Sequence, residues 1–195
     1  MPTEARVGQD SRIVIMTGDL TNQPEVDAIV NAANDRLRGG SGVCGAIFKA
    51  AGPDKMQAAC DMVPADANGI RCPTGEARVT SACDLPNKAV IHAVGPIWNP
   101  KPLYPGQNEA DLDAAYRSAI HMASTFGFES IAFPAISCGI YGFPMPDGAQ
   151  VAMRAVSRGL DENPRVRDVF FVFLPMGDGP EIQAHFEKAL AELDG

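Results

Sequence analysis

The sequence is short of positive charge. Its 195 residues carry 16 Lys and Arg against 24 Asp and Glu, a formal net charge of -8. Nucleic acids and anionic membranes are held by basic patches, so this balance counts against both. Small anions stay open, because backbone N–H groups and helix N-termini hold phosphate without basic side chains. Cysteine is scarce and odd in number: Cys44, Cys60, Cys72, Cys83 and Cys138 show no CxxC spacing. The three histidines, His92, His121 and His185, pair with no cysteine at ligand spacing. Reduced thiols in a cytoplasmic protein are expected, with no disulfide frame, no metal and no cofactor. No apolar run is long enough to span a bilayer, and "MPTEARVGQDSR" lacks the apolar stretch of a signal peptide. GxGxxG is missing after the first strand, as is GxxxxGK[ST] anywhere, which counts against a nicotinamide-dependent dehydrogenase or a P-loop enzyme.

What is there suits one domain with a real core, since 46% of the residues are hydrophobic. Residues 1–10 are polar and aperiodic and read as a loose, flexible arm, leaving 11–195 as the folded unit. Short apolar runs predict strands at 12–19, 26–34, 76–85, 88–96, 130–137 and 166–174. Helical patterns cover 43–52, 53–63, 108–127, 148–160 and 180–193. The longest places Leu112, Tyr116, Ala119, Ile120 and Ala123 on one face. The proline-rich stretch 96–108 must be a loop. Strands alternate with helices except at 76–96, where two consecutive strands predict an antiparallel edge. The fold class is therefore α/β, a three-layer α/β/α sandwich with a mixed, mostly parallel central sheet.

In such a sheet ligands bind off the carboxyl ends of the strands. Three suspicious segments follow strands directly: Gly18-Asp19, the loop from Asn31 to Gly45, and "SCGIYG". One crevice would bring them together.

"GDLT", "VDAIVNAAN", "GGSGV", "VIHAVGP" and "FPAISCGIYGFP" occur in an order and spacing that resemble a macro domain, best its MacroD-type branch. The resemblance covers about residues 12 to 193. It implies the macro domain fold and binding of ADP-ribose. It also implies hydrolysis of the ester that joins the distal ribose to acidic side chains or to acetate. The implied partners are ADP-ribose, ADP-ribosylated protein and O-acetyl-ADP-ribose.

The resemblance also assigns roles. Asp19 would accept a hydrogen bond from the adenine amino group, although "GDLTNQPE" equally permits a helix cap or an Asx-turn. Leu20 would give a backbone contact. Phe173 matches the aromatic that packs on adenine, or is a core residue of "VFFVFL". Asn34 would meet the distal ribose, while Asn31 ties the loop to the sheet. Gly40, Ser41, Gly42 and Val43 on one side, and Ser137, Cys138, Gly139 and Ile140 on the other, would give N–H groups to the diphosphate. Either glycine loop alone is an ordinary turn. Tyr141 would pack on the distal ribose, and Cys138 replaces the threonine usual in relatives. His92, within a strand, reads as a satisfied core histidine; His121 and His185 read as surface or packing residues.

Cys44 stands where relatives commonly carry an aspartate, and Phe48 where they often carry a histidine. Three readings follow. Hydrolysis persists through substrate assistance, a phosphate oxygen holding the water, as a similar "GVC" in hydrolytic alphavirus macro domains suggests. Or the protein is an ADP-ribose reader with little turnover. Or Cys44 is a nucleophile, which an adjacent diphosphate disfavours by raising the thiol pKa. The catalytic set implied is Asn34, Cys44 and Tyr141 in positioning roles.

Overall fold

Runs that are apolar on both faces belong in the middle of a sheet, and that is where they lie. The computed structural model describes residues 2–7 and 10–193. Its strands are β1 (Thr3–Val7), β2 (Ser11–Thr17), β3 (Ala28–Ala32), β4 (Ala77–Ser81), β5 (Ala89–Ala93), β6 (Ser130–Phe133) and β7 (Asp168–Phe173). They form one sheet in the order β1-β2-β7-β6-β3-β5-β4. The five strands from β2 to β5 in that order are mutually parallel, while β1 and β4 close the two edges antiparallel. The antiparallel edge expected from residues 76–96 is the β4–β5 pair.

The helices are α1 (Gly42–Ala51), α2 (Pro53–Asp61), α3 (Gln107–Thr125), α4 (Met145–Glu162) and α5 (Gly179–Ala191). Strand alternation sorts them into two layers. Ala28 and Val30 of β3, Ile91 of β5 and Phe171 of β7 face α3, α4 and α5. Ile29, Val90 and Val172 face the other way, with Ile47 and Phe48 of α1 and Met56 and Cys60 of α2. All five apolar positions expected on one face of α3 are buried. No helix among the described residues is long and apolar enough to cross a membrane.

One expectation fails. The N-terminal arm is not loose along Thr3–Val7: it pairs antiparallel with β2, from Thr3 opposite Ile15 to Val7 opposite Ser11. Ala5 and Val7 pack on the α3–α5 core, while Thr3 and Glu4 stay exposed. An edge strand with one covered face needs only alternate apolar residues, so composition alone hides it.

Candidate functional site

A cleft of about 560 Å³ opens at the carboxyl ends of the parallel strands. Its walls come from Gly18–Thr21 after β2, Ala32–Asn34 after β3, Gly40–Cys44 into α1, Gly95 after β5, Pro134–Ser137 and Gly139–Tyr141 after β6, Val172–Leu174 at the end of β7, and Met176, Asp178, Gly179 and Ile182 at the start of α5. Every residue proposed for the site lines it except Cys138.

Two loops face each other across the middle. Gly42 has φ +59 and opens α1, whose cap residue Ser41 makes no side-chain bond and whose first turn holds no acid. The first N–H groups of a helix lack intrahelical partners, and here Gly42, Val43 and Cys44 lie at the cleft. Opposite them, the N–H groups of Ser137, Gly139, Ile140 and Tyr141 have no backbone partner among the described residues. A methyl on Gly42 would lie 3.8 Å from Ile140 Cδ1, so the loops nearly meet over the cleft. Ser137 sits at φ +65, a strained setting for a side chain, with a buried Oγ that bonds to nothing. The arrangement fits an anion with several oxygens.

At the β2–β7 end, Asp19 fulfils its bland reading and keeps room for the other. Oδ1 accepts from Thr21 N–H at 2.9 Å and from the Thr21 hydroxyl at 2.8 Å, an Asx-turn that leaves Oδ2 unused. Phe173 is both wall and core. It lines the cleft, stacks on Phe171 at 6.5 Å and meets the Phe186 ring at 5.0 Å. Leu20, Leu174, Met176 and Ile182 complete an apolar slot for a flat group.

At the β3 end, Asn34 clasps its own loop: Nδ2 donates to the Arg38 carbonyl at 2.7 Å and Oδ1 accepts from Arg38 N–H at 3.0 Å. One N–H and one lone pair remain for a ligand. The Cys44 thiol lies nearby, 3.8 Å from the Arg38 carbonyl and 3.6 Å from Asn31 Nδ2. Burial pushes its pKa up, which outweighs the help of Asn31 and Gly40 N–H, so the thiol stays protonated. Tyr141 is raised as well, by burial and then by Asp35 and Cys44. Its carbonyl accepts from Trp98 N–H at 2.8 Å, so the proline-rich loop pins it.

Cys138 departs from the N–H role expected of it: it lies outside the cleft lining, and its N–H donates to the Ala135 carbonyl at 3.4 Å. Its side chain turns into the α3–α5 core beneath Gly148, where a methyl would come within 2.6 Å of Sγ, and burial drives its pKa to about 12. His92 is the buried core histidine foreseen, and no described cluster of His, Cys, Asp and Glu could hold a metal.

Gly45 was not singled out. A Cβ there would lie 2.5 Å from the Gly40 carbonyl oxygen, so only glycine lets α1 start against its own loop. The spacing Gly40-x-Gly42-x-x-Gly45 was the available signal. Met176, Asp178 and Ile182 carried no sequence signal; the loop into α5 and the helix's first turn bring them to the cleft.

A family model described as Macro domain matches residues 30–152. The chain belongs to the macro domain family. A relative from Escherichia fergusonii, named O-acetyl-ADP-ribose deacetylase, is 44% identical over 164 residues, 83% of this chain and 88% of that protein. The Oceanobacillus iheyensis macrodomain with ADP superposes with a TM-score of 0.87 at 36% identity, covering 100% of this chain and 97% of that one. The Trypanosoma brucei macrodomain in complex with ADP-ribose gives 0.75 at 31% identity, covering 91% of this chain and 68% of that one. In this macro domain the cleft departs from the implied pattern at Cys44, where a carboxylate was to be expected.

Proposed function

We propose that this macro domain binds ADP-ribose and hydrolyses the ester at its distal ribose, releasing acetate from O-acetyl-ADP-ribose or an acidic side chain from ADP-ribosylated protein. The two facing loops carry the reading, because they bring N–H groups without a backbone partner to one cleft with an apolar slot on one side and Asn34 on the other. The names of the relatives point the same way. Adenine would enter the slot beside Phe173, with Asp19 Oδ2 on its amino group. The diphosphate would lie between Gly40–Val43 and Ser137–Ile140. The distal ribose would meet Asn34, Cys44 and Tyr141. The five unpaired cysteines fit a cytoplasmic setting.

For the acetyl ester, water adds to the carbonyl carbon and the acyl C–O bond breaks; one water proton goes to the ribose oxygen, the other to solvent, and acetate leaves. A protonated, buried Cys44 is no base for that water, so a diphosphate oxygen of the substrate holds it. The same thiol favours a second reading, a module that holds ADP-ribose with little turnover. Calorimetry with ADP-ribose and acetate release from O-acetyl-ADP-ribose, repeated with ADP-ribosylated glutamate, separate the two. No heat at high micromolar ADP-ribose refutes both; heat without release of either product leaves the reader.

A further inference from the structure

Beneath the β3 end of the cleft lies a line of buried polar groups that packing alone does not require. Thr80, His92 and Asn31 sit on three neighbouring strands, β4, β5 and β3, all facing the α1–α2 layer, and Asn31 is paired in register with His92. His92 Nε2 lies 2.8 Å from Thr80 Oγ1, and His92 Nδ1 lies 3.1 Å from Asn31 Nδ2. Asn31 Nδ2 also reaches Cys44 Sγ at 3.6 Å, and Cys44 Sγ faces the Arg38 carbonyl at 3.8 Å. That carbonyl is the one Asn34 holds at 2.7 Å.

Donor counting fixes the direction. The Asn31 amide has two N–H groups, one for His92 Nδ1 and one for Cys44 Sγ. His92 must then be the neutral tautomer protonated on Nε2, which donates to Thr80 Oγ1. The Thr80 hydroxyl donates to the Ser81 carbonyl at 3.1 Å. The thiol proton goes to the Arg38 carbonyl. Only Asn31 Oδ1 is left without a partner. Turning the amide over would strand two N–H groups instead of one oxygen, which is worse. Burial holds the His92 pKa at about 4, so the ring is neutral at neutral pH.

We propose that Asn31 and His92 are positioning residues for the distal-ribose end of the cleft: through Cys44 they fix the Arg38 carbonyl, and so the reach of Asn34. This rests on the ADP-ribose reading above. A merely structural pair would change melting temperature and leave the folded cleft indifferent to which ligand it meets. A positioning pair acts only on the ligand that carries the distal ribose.

The test compares ADP-ribose with ADP, which lacks that ribose, by calorimetry well below melting. In Asn31→Leu the Kd for ADP-ribose rises about tenfold, the worth of one hydrogen bond of ordinary strength, while that for ADP stays within about twofold. Thr80→Val removes the far end of the line without touching the cleft. It shifts the same ratio in the same direction, and Thr80→Ser restores it. In the unaltered protein, nitrogen NMR of the histidine ring finds His92 protonated on Nε2, and ADP-ribose moves its signals where ADP does not. The proposal falls if ADP-ribose and ADP weaken together, if Thr80→Val leaves the ratio unchanged, or if His92 carries its proton on Nδ1. Failure of the parent protein to bind ADP-ribose at all sinks the functional reading instead.

Discussion

Gly45→Ala tests the diphosphate cradle with a single methyl group. The new Cβ would stand 2.5 Å from the Gly40 carbonyl oxygen, roughly 0.9 Å inside the 3.4 Å at which ordinary contact begins. Either α1 or the loop must give. The helix is fixed from below, since Ile47 and Ala51 are fully buried and Phe48 almost so. The loop therefore moves, and the N–H groups of Ser41 and Gly42 move with it. A shift of about 1 Å in groups that hold a ligand can cost on the order of a hundredfold. Alanine meanwhile suits a helix interior better than glycine by roughly 1 kcal/mol, which offsets part of the clash in the stability of the free protein. We expect Kd for ADP-ribose and for ADP to rise together by about 10- to 100-fold, with a cooperative melt retained. Calorimetry with both ligands, beside circular-dichroism melting, reads both effects. A folded Gly45→Ala protein that binds both ligands within about twofold of the parent would refute the placing of the diphosphate against this loop.

Three further outcomes are expected. Ser137→Gly relieves the φ +65 strain and removes a buried hydroxyl without a partner; against the entropy glycine adds to the unfolded chain, the net gain is about 1 kcal/mol, or about 2–4 °C in melting, while ADP-ribose affinity falls several-fold. A higher affinity after that change would mean the hydroxyl meets no ligand. Cys44→Ser keeps a donor for Arg38 and an acceptor for Asn31, so ester turnover stays within about threefold; a loss above about a hundredfold would make the thiol chemical. His92, with a folded pKa of about 4 against an ordinary 6.5, binds its extra proton only in the unfolded chain between those values. Its contribution is full above pH 6.5 and falls by roughly 1.4 kcal/mol per pH unit as pH drops through that window; denaturant melts of His92→Gln should show a slope shallower by about one proton, and equal slopes would contradict a neutral buried ring.

The parallel centre of the sheet was legible because its strands are covered on both faces and so read as unbroken apolar runs. β1 was not, because Thr3–Val7 shows only alternation, and alternation over five residues looks like noise beside a polar terminus. At the site, Asp19 and Asn34 were legible because each lies just past a strand end, where the fold must open, and the Gly40–Val43 loop because its glycines lead into a helix start. Cys138 misled for the opposite reason: in an irregular loop the side of each side chain depends on backbone angles such as those at Ser137, which spacing does not reveal. Gly45 was hidden by its setting inside a helix, where glycine reads as weak propensity rather than close approach. The line from Thr80 to Asn31 joins three strands far apart in sequence, and only the sheet order makes them neighbours.

Binding and turnover therefore rest on different parts of this chain. An acidic protein can hold a dianion because the attraction comes from N–H groups fixed by the start of α1 and the turn after β6, both set by backbone angles that glycine permits. Those groups are in place whatever residue stands at position 44. In the proposed reading, turnover needs a proton acceptor near Cys44, and the thiol is held protonated by burial, its hydrogen turned toward the Arg38 carbonyl. A carboxylate at that point would instead face the carbonyl oxygen and lose the bond. The loop that holds Asn34 in place is thus suited to a neutral donor at Cys44.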